Sequence, residues 1–249
     1  MKEAFVVERT LPEAYHLALK ELYTLGDIVP CPDWDTGDTI MTQKEIGMTM
    51  VVLNPKREPR ISRLFPGGPY ELQQYIMEMV YGILDFEVQK GKWSYTYHDR
   101  MANYEYNKKH FDQIEFVIAE LKRNPYSRRA VIDVRHPRDI YSDDPACLQH
   151  LQFFIREGKL DCDVLFRSND ACKATFMNAF ALIKLQEFIA HSVGVEVGRY
   201  VHRANSFHCY SKDYGLLEVY IKRIDSNKDL TYNYQNDWMR EMEDSISSN

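Results

Sequence analysis

The sequence predicts one α+β domain spanning residues 1–249. Two observations carry that expectation. Five segments repeat apolar residues at helical spacing, and between them lie runs rich in Val, Ile, Met, Thr and aromatic residues. Two of those runs, Leu151 to Ile155 and Leu160 to Phe166, read as a hairpin about Glu157-Gly158-Lys159. No internal repeat and no linker interrupts the chain, and 249 residues can bury a sizeable core.

The elements follow in order. Residues 11 to 25 form an amphipathic helix with Leu17, Leu19 and Leu22 near one face, Pro12 near its start and Gly26 at its end. Cys31 to Asp38 is a loop. Ile46 to Leu53 is a strand. Asn54 to Pro69, with its prolines and glycines, is irregular, and its Lys56, Arg57, Arg60 and Arg63 read as a solvated basic loop. Pro69 to Leu84 is a helix, with Glu78 set among Leu72, Ile76, Met79, Val80 and Ile83. A glutamate there is costly to bury unless it is paired or functional. Trp93 to Arg100 is aromatic and polar and suits a pocket wall, although Tyr95 and Tyr97 also fit as packing residues on one face of a strand. Tyr104 to Arg123 reads as one long helix ending at Asn124-Pro125. Ala130 to Arg135 is a strand. Phe176 to Val193 is the central core helix, Arg199 to Cys209 a strand, and Asp213 to Ile224 the last helix. The polar tail from Lys228 has Tyr232, Tyr234 and Trp238 as its anchors.

Composition narrows the function. The net charge of −6 gives no general attraction for nucleic acid, so an anionic ligand needs a local arginine cluster. No run is long enough to span a membrane, and the N-terminus does not read as a signal peptide. Five cysteines without a CxxC pair point to a reducing, cytoplasmic setting, with no disulfide framework and no structural metal.

The chemistry gathers between Cys147 and Tyr210. Cys147 follows Asp144-Pro145-Ala146. Arg167-Ser168, Asn178, His208 and Tyr210 come after it. A thiol, an anion site and an amide able to read a base edge suggest covalent chemistry on a nucleotide. Free cysteine is ordinarily a small buried hydrophobe, and Cys162, Cys172 and Cys209 keep that reading.

Ser127-Arg128-Arg129, Pro145-Ala146-Cys147 with Gln152, Arg167-Ser168-Asn169-Asp170, Asn178 and His208-Cys209-Tyr210 resemble the thymidylate synthase family in order and spacing. The resemblance covers about Glu78 to Tyr210, and more weakly Gly47 to Leu53. It implies a mostly antiparallel sheet flanked by helices and a back-to-back homodimer with shared active sites. It implies that Cys147 attacks C6 of a pyrimidine nucleoside monophosphate, and that 5,10-methylenetetrahydrofolate donates a one-carbon unit to C5. Arg167 and Ser168 would bind the phosphate, with Arg128 and Arg129 reaching it from the partner subunit. Gln152 and Asn178 fall among the substrate-binding positions, Asn178 reading the base edge. His208 and Tyr210 would hold the sugar hydroxyl. Glu78 and Tyr97 would handle protons, and Asp170 would anchor the catalytic site beneath the base. The physics fits: a reactive thiolate needs a positive neighbour, and Arg167 is expected to lower the Cys147 pKa.

Four departures stand out. Leu148 replaces the usual histidine, Ala204-Asn205-Ser206 replaces a Gly-Gly-Asp-like run, Ala174 replaces a glycine, and the tail Met242 to Asn249 is polar. They resemble the divergent archaeal-type synthases and bear on the final hydride step. Two other readings therefore accompany dTMP synthesis. One is 5-hydroxymethyl transfer to dUMP or a cytosine nucleotide. The other is a catalytically silent homologue that binds nucleotide or RNA, which the joint presence of Cys147, Arg167 and Asn178 speaks against.

Overall fold

The structure, a computed structural model, describes residues 1–32, 40–226 and 229–234. Strand β1 (Glu3–Glu8) leads into α1 (Leu11–Leu25). Thr10 caps that helix by a reciprocal bond with Glu13, so two backbone donors at its start are satisfied. Next come β2 (Asp27–Pro32), β3 (Ile40–Val52) and the short β4 (Ile61–Ser62). Helices α2 (Pro69–Tyr81), α3 (Asp85–Gln89) and α4 (Tyr97–Ala102) follow. Then β5 (Tyr104–Tyr106) and β6 (Lys109–Phe111) pair as a small hairpin before α5 (Gln113–Arg123).

The second half holds β7 (Val131–Asp133), β8 (Leu148–Arg156), β9 (Lys159–Phe166), β10 (Asn169–Asp170), α6 (Thr175–Val193), β11 (Glu196–Tyr210), α7 (Tyr214–Asp225) and β12 (Thr231–Tyr232). The β8–β9 turn is made by Glu157 and Gly158, at φ 51° and 74°. Two left-handed residues match the twist of the flanking strands, which is why a glycine stands there.

One mixed sheet of eight strands runs β1-β3-β11-β9-β8-β7, with β2 on β3 and β10 on β11. Among its pairings β2–β3, β3–β11, β7–β8 and β8–β9 are antiparallel, and β1–β3, β9–β11 and β10–β11 are parallel. Helix α6 is the core: twelve of its nineteen residues are buried. It packs against α1, α2 and α5 and against β9 and β11. Gln186, the fully buried amide on α6, donates to the Leu160 and Arg199 carbonyls at 2.7 and 3.0 Å, tying helix to sheet. Among the described residues no helix is long and apolar enough to cross a membrane.

Several expectations change. The helix expected over Tyr104–Arg123 begins only at Gln113, because Asn107 and Lys108 turn the chain at φ 51° and 60° and Asp112 caps the helix. Phe111, counted on its apolar face, is exposed on β6. Cys31 lies in β2 rather than a loop, and the rest of that stretch, 33–38, is outside the described residues. Tyr97 opens α4 rather than lying on a strand. Arg60 is buried rather than solvated: it pairs with Glu187 and lies over the rings of Phe180 and Tyr234. The tail anchors Tyr232, paired with Ile61, and Tyr234, buried, hold as expected, while Trp238 falls outside the described residues.

Candidate active site

The β8–β9 ladder brings the first two groups together. Leu148 pairs with Phe166, so the residues just beyond each strand end, Cys147 and Arg167, face each other. The Arg167 amide donates to the Cys147 carbonyl at 2.9 Å. Its guanidinium donates to the carbonyls of Ala146 (3.1 Å) and Pro145 (2.6 Å), which fixes the turn that carries the thiol. Ser168 hydrogen-bonds the thiol itself. Strand β10 runs beside β11 with Asp170 level with His208, and this brings His208 and Tyr210 to the same place. A cavity of about 490 Å³ is lined by Cys147, Arg167, Ser168, His208 and Tyr210, together with Asp144, Ser206 and Gln43.

A second cavity of about 470 Å³ is lined by Tyr75, Glu78, Trp93, Tyr95 and Tyr97. Asp144 lines both cavities. The two faces meet at Cys147: the Tyr97 hydroxyl accepts from the Leu148 amide at 3.4 Å, one residue beyond the thiol. Asn178, in the first turn of α6, is buried and its Oδ1 accepts from the Tyr75 hydroxyl.

The environment tunes each group. Burial pushes the Cys147 thiol up; Arg167 and the Ser168 hydrogen bond pull it back, and Asp144 adds to the rise. Arg167 lowers the thiol as expected, but burial outweighs it and the net direction is upward. Burial also raises the Glu78 carboxyl, against a long hydrogen bond from Gln74 (3.4 Å), and this moves it toward the range where a carboxyl exchanges protons near neutrality. Tyr97 is held well above the ordinary phenol value by burial and by its neighbours Tyr75, Cys147 and Tyr95, so it is a neutral hydroxyl. Burial lowers His208, so its ring is neutral. Its Nδ1 lies 3.2 Å from the Ser206 carbonyl, which only accepts. Nδ1 also lies 3.3 Å from the Ser206 hydroxyl, and with the ring proton on Nδ1, donated to the carbonyl, Nε2 is left as an acceptor.

Other expected residues sit elsewhere. Asp170 spends Oδ1 on the amides of Cys172 and Lys173, both at 2.9 Å, and so braces the turn into α6 rather than lining a cavity. Gln152 donates to the Arg128 carbonyl at 3.0 Å, on the far side of β8. Arg128 and Arg129 are exposed. None of these three lines either cavity within one chain. Sequence reasoning passed over Tyr75 and Asp144. Tyr75 lies three residues before Glu78 on α2, so helical spacing alone places both on one face.

The family model described as thymidylate synthase matches residues 71–245. The chain belongs to the thymidylate synthase family. A protein from Methanocaldococcus jannaschii named "Putative thymidylate synthase" is 39% identical over 187 residues, covering 72% of this chain and 81% of that one. One of the same name from Methanosarcina mazei is 33% identical over 219 residues, covering 87% and 94%. The solved thermostable thymidylate synthase A from Bacillus subtilis superposes with a TM-score of 0.65 at 21% identity, covering 86% of this chain and 84% of that one. At that identity the structural likeness speaks for the fold, and the thymidylate synthase fold is α+β with a mixed sheet flanked by helices.

Proposed function

We propose that this protein makes dTMP from dUMP, moving a one-carbon unit from 5,10-methylenetetrahydrofolate to C5 through a covalent adduct on Cys147. The observation that carries this is the junction at Cys147. A cavity with the partly exposed Cys147 thiol, a guanidinium, a hydroxyl and a His–Tyr pair opens beside an aromatic cavity with a half-buried carboxyl. In this reading the thiolate adds to C6 of the uracil, and the electron pair of the C5=C6 bond moves toward O4, leaving C5 nucleophilic. Arg167 and Ser168 meet the phosphate, a planar guanidinium being well shaped for its oxygens. The phosphate charge must be admitted next to Asp144, so Arg167 has two anions to balance. His208 Nε2 accepts from the sugar hydroxyl, and Tyr210 supports it. The Glu78 carboxyl moves a proton at O4, and the Tyr97 hydroxyl oxygen orients the water that accepts the C5 proton as it leaves.

The cavity of Trp93, Tyr95 and Tyr97 suits a flat bicyclic ring, with aromatic walls and the carboxyls of Glu78 and Asp144 in its lining. A folate bound there would supply the one-carbon unit and the final hydride. The phosphate site is completed by Arg128 and Arg129 of a second copy, since these exposed arginines reach neither cavity of their own chain.

The departures at Leu148, Ala174 and Ala204-Asn205-Ser206 favour a second outcome, in which water takes the place of hydride and the product is 5-hydroxymethyl-dUMP. Mass spectrometry of the product from dUMP and methylenetetrahydrofolate decides between them. A gain of a methyl group supports the proposal. A hydroxymethyl product replaces it with the second reading, and unchanged dUMP refutes both.

A further inference from the structure

Helices α2 and α6 pack side by side, and a polar bond joins them near the site. The Tyr75 hydroxyl donates to Oδ1 of Asn178. Tyr75 also lines the cavity that holds Glu78, Tyr95 and Tyr97. A carboxamide can turn over, exchanging donor and acceptor with almost no change of shape, so its neighbours decide which end faces a ligand. Among the described residues Tyr75 supplies the side-chain hydrogen bond to the Asn178 amide.

We propose that Tyr75 is a positioning residue that locks the Asn178 amide in the orientation that selects uracil over cytosine. The inference rests on the proposed reading of Asn178 as the group that meets the base. Uracil presents an N3–H donor and an O4 acceptor; cytosine presents the reverse. An amide oxygen has two lone pairs. With one taken by the Tyr75 proton, Oδ1 still accepts from N3–H while Nδ2 donates to O4. Cytosine requires the amide to turn over, so that Nδ2 donates to N3 and Oδ1 accepts from the exocyclic amino group. That places Nδ2–H against the phenol and deprives the phenol proton of its acceptor. A buried donor left unpaired is costly, and this cost falls on cytosine alone. Burial and the nearby Glu78 hold the Tyr75 phenol well above its ordinary value, so it keeps the proton it must donate.

Calorimetric binding of dUMP and dCMP to the intact protein tests this. The wild type, Tyr75→Phe, Asn178→Asp and the double variant are compared. Tyr75→Phe removes one oxygen and keeps the ring. It should reduce the dUMP-to-dCMP affinity ratio by about fivefold to tenfold, the worth of one hydrogen bond. Tyr75→His, which restores a donor, should recover part of that ratio. In the Asn178→Asp background, which itself shifts the ratio toward dCMP, the Tyr75→Phe change should have a clearly smaller effect, because the amide it orients is gone. A ratio within about twofold of wild type in Tyr75→Phe, alongside a shifted ratio in Asn178→Asp, would overturn the role of Tyr75 and leave the reading of Asn178 intact. Equal losses for both nucleotides in Tyr75→Phe would show general damage and overturn it as well. An unchanged ratio in both single variants would remove Asn178 from the base edge and the inference with it. Failure of the wild type to bind either nucleotide would overturn the proposed function itself.

Discussion

At the scale of single residues, the thiol is the informative group. Cys147 is half-buried where the other four cysteines are buried, and that partial burial and Asp144 hold its proton on. The resting protein thus keeps a protonated thiol, which resists casual oxidation and alkylation, and the thiolate must be called up by what binds. Asp144 stands at the rim of both cavities and pushes the thiol up, while Arg167 pulls it down with a guanidinium already fixed on two carbonyls. Removing the carboxylate should shift that balance. Asp144→Asn is expected to speed alkylation of Cys147 by iodoacetamide at pH 8 by about twofold to fivefold. Arg167→Ala should slow it. Peptide mass mapping over a pH series reads both, and an Asp144→Asn rate below wild type would show that the carboxylate does not act on the thiol.

At the scale of elements, Arg60 joins an irregular segment to the core helix. The Glu187 carboxyl is pushed up by burial, but the charges of Arg60 and Lys184 and their hydrogen bonds outweigh this and leave it below the usual carboxylate range. A carboxyl lowered in the folded state stabilises above its unfolded value, near 4.5, and loses that contribution as pH falls through its folded value. Arg60→Ala strands part of that charge, so urea unfolding at pH 7 should show a loss of about 3 kcal/mol, shrinking toward pH 3. A loss that is equal at both pH values would mean that packing on Phe180 and Tyr234, rather than charge, holds the arginine. This pair also shows where the sequence was legible. Long apolar periods at 11–25, 69–84 and 176–193 became α1, α2 and α6, with α2 stopping at Tyr81 where Gly82 turns left-handed, because local spacing dictates which face is buried. Arg60 was not legible, since its partner lies over a hundred residues away. The β5–β6 hairpin was hidden by the same helical count: Phe111 continues the spacing of Ile114, Val117, Ile118 and Leu121, but Asn107-Lys108 turns and Asp112 caps. Cys147, Arg167, Ser168, His208 and Tyr210 were legible as motifs; their meeting depended on strand pairing that no local pattern states. The same pairing leaves Gln152, Arg128 and Arg129 outside the cavities of their own chain.

At the scale of the whole molecule, the sheet has one dressed face. Along β9 the even residues Leu160, Cys162, Val164 and Phe166 are buried against the helices, while Asp161, Asp163 and Leu165 on the other face are half-buried. That second face suits another sheet, and a copy stacked there would bring foreign arginines to the phosphate site. If each site takes Cys147 from one chain and Arg129 from the other, Cys147→Ala and Arg129→Glu homodimers should both be nearly inactive. Co-refolding them should restore activity, because one site in each heterodimer escapes both lesions, up to about a quarter of wild type if chains mix at random. Exchange seen with differently tagged chains, without any return of activity, would place Arg129 in its own chain's chemistry or in none. The central claim, however, is that Cys147 opens the C5–H bond of dUMP. Its most direct test is release of tritium to water from dUMP labelled at C5, with methylenetetrahydrofolate present. The account predicts steady release by the wild type and none above background by a folded Cys147→Ala protein. No release by the wild type, or equal release by the two, would contradict it.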